Sequence, residues 1–167
     1  MRLAVWLLGA ALAVAPGLAA ADEPTGCDAF KWPLDRERAA LASPGKLAVA
    51  NGGALTTDAA ASLKLAPLAE AGLPQAPERA SRSPQSYAGH FALAAPAKAG
   101  IYKITIASEG WIDVIDGGQF LRPKAFSGVL GCEGARKSVK FDLPARPLDI
   151  QLSGVRNGEI SLIVSPE

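Results

Sequence analysis

Histidine and cysteine are nearly missing from this chain, which has one His and two Cys in 167 residues. The lone His90 cannot supply the two histidines of a non-haem iron facial triad. Zinc sites, which take several His or Cys ligands, are no better served. A D-x-[DN]-x-[DN]-G calcium run is absent, as is a C-x-x-C redox pair. No G-x-S-x-G nucleophile elbow occurs, since Phe126-Ser127-Gly128 lacks the first glycine. Gly131 to Ser138 departs from a phosphate loop, because Ala135 and Arg136 separate Gly134 from Lys137. The sequence therefore leads us to expect no metal and no cofactor.

An excess of either charge is also lacking. The seventeen basic residues less Arg2 equal the sixteen acidic ones. The remainder carries no formal net charge, which argues against nucleic-acid binding driven by bulk charge. Beyond the N-terminus no apolar run reaches the length needed to span a bilayer. At the N-terminus, Arg2 precedes an uncharged apolar run from Leu3 to Val14. Pro16 and Gly17 break that run, and Ala19-Ala20-Ala21 supplies small residues before Asp22. This is the layout of a secretory signal peptide over residues 1–21, and it predicts a periplasmic or secreted protein with no membrane insertion after cleavage. In an exported protein the even pair Cys27 and Cys132 reads as a disulfide.

What the chain does have falls into two textures. Residues 22–86 are rich in Ala and Pro with weak periodicity. Leu34 to Ala42 holds good helix formers with Asp35 and Glu37 near the start, ended by Ser43-Pro44-Gly45. Lys46 to Ala50 and Ser62 to Ala66 read as short strands around the turn signal Asn51-Gly52-Gly53. Leu73 to Ser86, with Pro74, Pro77 and Pro84, reads as a long irregular surface connection.

Residues 87–167 alternate with a period of two, as one buried and one wet face impose. Tyr102, Ile104 and Ile106 share one face, as do Val139, Phe141 and Leu143; Leu148, Ile150 and Leu152; and Ile160, Leu162 and Val164. Ser138, Lys140, Asp142, Asp149 and Gln151 are expected to face water. Short strands about ten residues apart predict a mostly β fold, an antiparallel jelly-roll-like β-sandwich. A short N-terminal helix and the irregular segment 22–86 would pack on it as part of one domain.

Asp113 and Asp116 fall on opposite strand faces and cannot share a metal or a substrate. Asp116-Gly117-Gly118 reads as a hairpin turn. Trp111 shares its face with Asp113 and Ile115, the face that should be wet. Either that face is covered by the N-terminal segment, which Cys132 would tie down, or it is an apolar binding patch. Arg122, Lys124, Arg136, Lys137 and Lys140 lie within nineteen positions, opposed only by Glu133. Together with Trp111 these five form the candidate binding site.

Two resemblances follow from these motifs. GIYKITIASEGWIDVIDGGQFL, RKSVKFDL, PLDIQLSG and GEISLIV resemble the pre-peptidase C-terminal β-sandwich domains of secreted bacterial peptidases, over about residues 87–164. That resemblance implies a non-catalytic sandwich that binds polymers or assists secretion. Cys27 to Pro33, Ala125 to Gly128 and Cys132 to Phe141 resemble the C-D-x-F-K-W-P, A-F-S-G and C-x-G-x-R-K-S-V-x-F motifs of a group of small exported proteobacterial proteins. That group has no established function, and some members bear the name homogentisate dioxygenase. This chain is far shorter than that enzyme and lacks its iron-binding histidines.

The function expected is a non-catalytic envelope or periplasmic module that binds a polymer, an anionic ligand or a protein partner. A small secreted hydrolase built on His90 with a Ser and an Asp is the alternative. A structural or inhibitor-like partner protein is a third reading.

Overall fold

The computed structural model describes residues 23–167. The signal peptide expected at residues 1–21 lies outside the described residues. The fold is mostly β, with twelve strands in two mixed sheets and one helix, α1 (Asp35–Ala42). The strands are β1 (Leu47–Val49), β2 (Ala54–Leu55), β3 (Ala61–Lys64), β4 (Ala66–Pro67), β5 (Tyr87–Leu93), β6 (Gly100–Ile106), β7 (Trp111–Asp116), β8 (Gln119–Phe120), β9 (Ala125–Gly128), β10 (Lys137–Leu143), β11 (Leu148–Val155) and β12 (Glu159–Pro166). The first sheet runs β1-β3-β12-β6-β10-β9 and the second β2-β5-β11-β7-β8, with β4 also on β5. Pairing is antiparallel except at two short contacts. β1 runs parallel to β3, and β2 runs parallel to β5. Residues 47–64 contribute β1 and β3 to the first sheet and β2 to the second, so the N-terminal segment supplies strands to both sheets and is woven into the sandwich.

The period-of-two pattern correctly marks the interior. Phe91, Leu93, Ile104, Ile106, Phe141, Leu143, Ile150, Leu152, Leu162 and Val164 come from both sheets and pack into one core cluster. The hairpin joining β7 to β8 turns on Gly117 and Gly118, at φ 55° and 82°, with Asp116 opposite Gln119. Two consecutive positive φ values are what a two-residue type I′ turn demands, and glycine meets them without strain.

The outer faces follow the expectation only in part: Asp142 is exposed and Lys140 and Asp149 are half-buried. Ser138 and Gln151, expected in water, are fully buried at 0 % exposure, and Thr105, Ser127, Ser153 and Ser165 join them. The cause is a cover on each sheet. On the first sheet, the chain from Cys27 to Ala42 crosses four strands in succession. The Lys31 backbone N–H donates to Ser127 Oγ on β9 (3.0 Å), and the Trp32 indole donates to Ser138 Oγ on β10 (3.2 Å). Glu37 on α1 then reaches Lys103 on β6 (2.7 Å) and accepts from Ser165 Oγ on β12 (2.6 Å). The Cys27–Cys132 disulfide anchors this cover, with Cα atoms 4.7 Å apart.

On the second sheet, the cover is the irregular connection after β4. The Gln75 N–H donates to Gln151 Oε1 (3.5 Å), the Gln75 side chain to the Gly118 carbonyl (2.8 Å), and the Glu78 N–H to Asp113 Oδ2 (3.4 Å). Trp111, Asp113 and Ile115 are therefore covered, but by the Pro-rich connection. The segment tied by Cys27 covers the opposite sheet, which corrects the expectation that Cys132 would draw it over this face. Small polar side chains suit both outer faces because a covering chain needs close approach and hydrogen-bond partners for its own backbone.

Candidate functional site

Trp111 opens β7 at the end of the sandwich where β6 finishes and β10 begins. It is half-buried and stands outside the core cluster. Its indole N–H donates to Asp113 Oδ1 at 2.7 Å. Two cations lie over its ring, the Arg79 guanidinium at 5.3 Å and the Lys137 ammonium at 5.8 Å from the centroid. Each arrangement lets the ring quadrupole attract a positive charge. Lys137 also donates to the Gly110 carbonyl at 2.5 Å, in the link between the two sheets. Next to it, Arg136 bridges Glu23 (2.6 Å) and Glu109 (2.7 Å) and donates to the Val129 carbonyl (3.2 Å).

Two cations thus lie over the indole, Arg136 shares Glu109 with Lys137, and three carboxylates, Glu23, Glu109 and Asp113, stand among them. Burial pushes the Lys137 ammonium below the usual lysine range. Glu109 opposes that shift, while Arg136 and Arg79 add to it. Arg79 has no hydrogen bond or ion pair among the described residues, and its link to the site is the ring beneath it. Asp113 is 2 % exposed. Burial raises its carboxyl above the usual aspartate range, against the hydrogen bonds from Trp111, the Glu78 backbone and Gln151, with the Glu78 charge adding to the rise. The carboxylate fixes the indole edge and so sets which part of the ring stays open.

The five cations of the sequence-predicted site do not gather into one patch. Arg136 and Lys137 stand at the Trp111 end. Lys140 lies mid-sheet, 4.4 Å over the Trp32 ring and paired with Glu167. Lys124 faces Asp142 at 3.9 Å, beside the β8–β9 crossing, and Arg122 is exposed on that crossing. Arg79, Glu109 and Glu23 complete the neighbourhood of Trp111. Nothing in the sequence marks Arg79 as its partner, because the Pro-rich connection carries no periodicity that would place it.

His90 stands on the outer face of β5, opposite Gln151, and its Nδ1 is buried without a hydrogen-bond partner. Its ring bonds to no serine and no carboxylate among the described residues. Asp113 and Asp116 do lie apart: Asp113 is under the cover, and Asp116 is held by Arg146 at the far end of β7, which lowers the Asp116 carboxyl. No group of three or more His, Cys, Asp or Glu residues that could hold a metal ion is found among the described residues.

Fold and site together define a disulfide-stapled β-sandwich with covered outer faces and a cation-flanked tryptophan at one end. No family model, no curated protein and no solved structure matches the chain significantly. The disulfide is compatible with an oxidising compartment. No helix of the described residues is long and apolar enough to cross a membrane.

Proposed function

We propose that the protein is an exported, non-catalytic module of the periplasm or extracellular space that binds an anionic polymer at the Trp111 end of the sandwich. The observation that carries this reading is the pair of cations, Arg79 and Lys137, over one half-buried indole, with Arg136 beside them sharing Glu109 with Lys137. Arg136 and Arg79 each repel the Lys137 charge, against the attraction of Glu109 and Glu23. An incoming carboxylate, sulfate or phosphate group relieves that repulsion, and the ring offers a flat surface beside it. The exported location rests on the N-terminal layout and agrees with the disulfide.

The test is retention of the full chain on an immobilised polyanion such as heparin across a salt series, with Arg79→Ala beside it. Arg79 makes no side-chain hydrogen bond or ion pair among the described residues, so its removal should leave the fold intact. The reading predicts weaker retention and a shallower salt dependence for the variant, since fewer counterions are released. Equal elution of the two proteins at every salt concentration would contradict it. Recovery from the periplasm or medium with an N-terminus near Asp22 tests export.

A further inference from the structure

The run from Cys27 to Pro33, together with the start of α1, takes no part in the Trp111 site. Its residues line a cleft of about 320 Å³, at the lower end of the range that small-molecule sites occupy. Four residues of the wall are fixed from outside. Cys27 is bonded to Cys132, the Lys31 backbone to Ser127, and the Trp32 indole to Ser138. Arg38 Nε donates to the Glu133 carbonyl at 3.1 Å. A wall held in this way loses little freedom when a ligand arrives.

The chemistry of the lining is balanced. Phe30 and Trp32 supply aromatic surface, Asp28 and Asp35 accept hydrogen bonds, and Lys31 and Arg38 donate them. The two negative and two positive charges cancel. Asp28, Lys31 and Asp35 are exposed, so their charges are screened and hold a free ion weakly. A zwitterion such as a free amino acid would need charges that are sheltered and unengaged. Here Arg38 is already drawn to Asp35 (3.6 Å) and to the Glu133 carbonyl. A neutral sugar uses what remains: its hydroxyls both donate and accept, and its apolar ring face packs on an aromatic side chain.

We propose that this cleft is a second binding site, separate from the Trp111 end, and that it takes a neutral saccharide. The cleft is too small for a bulky glycan and takes a terminal or short one.

The test is calorimetric titration of the full chain with neutral trisaccharides in the gluco, N-acetylglucosamino, manno and galacto series. Glycine and lysine serve as zwitterionic controls. Asp28→Ala and Lys31→Ala are measured beside the wild type. The Asp28 side chain is not among the tethers of the cover, and Lys31 adds only an exposed contact over the Phe126 ring at 5.0 Å, so the disulfide should be intact in both variants and the melting temperature of Asp28→Ala unchanged. Should one variant misfold, the other carries the comparison. The proposal predicts binding of at least one neutral series, insensitive to salt and to Arg79→Ala, and weakened roughly tenfold in each variant. It is overturned if no neutral trisaccharide binds the wild type. Binding unchanged in both variants, or binding of free amino acids instead, overturns it too. Because the probes are uncharged, failure here leaves the anionic reading of the Trp111 end standing, and the converse also holds.

Discussion

Lys103 and Lys140 stand directly opposite each other on β6 and β10. Like charges in that position repel, and here each is neutralised from a different end of the chain. Glu37 on α1 reaches Lys103, while Glu167 and the Trp32 ring receive Lys140. The pair therefore recruits the N-terminal cover and the C-terminus onto the same face. That is why Lys140, a plausible ligand-binding residue by sequence, is engaged within the fold.

Glu37→Gln should destabilise the protein by about 3 kcal/mol, because it leaves the partly buried Lys103 ammonium without its charge partner. Burial alone would raise the Glu37 carboxyl. The hydrogen bonds from Lys103 and Ser165 outweigh it and hold the group below the usual glutamate range. A lowered folded value means stability that is present above the unfolded pKa and is lost as pH falls through the folded one. Denaturant unfolding between neutral and acidic pH should show a steeper acid loss in the wild type than in the variant. Parallel curves would contradict the assignment.

Asp113 should act with the opposite sign. Its folded value is raised, so the folded state holds the proton more tightly than the unfolded chain. The contribution is greatest below the unfolded aspartate pKa, falls as pH rises to the folded value, and is constant beyond it. The Trp111 indole N–H is 2.7 Å from this carboxylate and reports the titration. Its proton resonance should shift with a midpoint above the ordinary aspartate range. A midpoint at or below that range would refute the buried-carboxyl account.

Trp111→Ala should lower stability by about 2 kcal/mol or more, since it removes packing at the cover and strips a donor from a buried carboxylate. A thermal melt of the variant checks this. Loss of binding in Trp111→Ala would therefore say little by itself, and Arg79→Ala is the cleaner probe of the site.

Opening the Cys27–Cys132 bond, or replacing both residues with Ala, should cost about 4 kcal/mol for a loop of this length and loosen the first-sheet cover. Thiol titration of the unreduced, denatured protein should find no free cysteine. Proteolysis of the double variant should cut first between residues 27 and 42. Unchanged protection there would show that Trp32 and Glu37 hold the cover alone.

The inner faces were legible in the sequence because burial on one side of a strand writes a period of two, as in Ile104–Ile106 and Val139–Leu143. The outer faces were not. Ser138 and Gln151 read as solvent-facing, since polar residues serve equally well against water and against a covering backbone. Glu37 looked like a favourable charge in the first turn of a helix, and only the tertiary fold puts Lys103 beneath it. The strands β2, β4, β8 and β9 are too short, at two to four residues, for alternation to register. At the candidate site, Trp111 and Asp113 were recognisable as sharing a face. Arg79 was not, because an aperiodic Pro-rich segment gives no clue to which side chain ends over which ring.

The most direct test of the binding account follows the indole N–H resonances of Trp111 and Trp32, assigned by single substitution, while the full chain is titrated with a sulfated or uronic-acid oligosaccharide. The account predicts a saturable shift at Trp111, abolished by high salt and weakened by Arg79→Ala, with Trp32 unmoved. A shift confined to Trp32, or none at either indole, would contradict the claim that the cation-flanked end of the sandwich binds an anionic polymer.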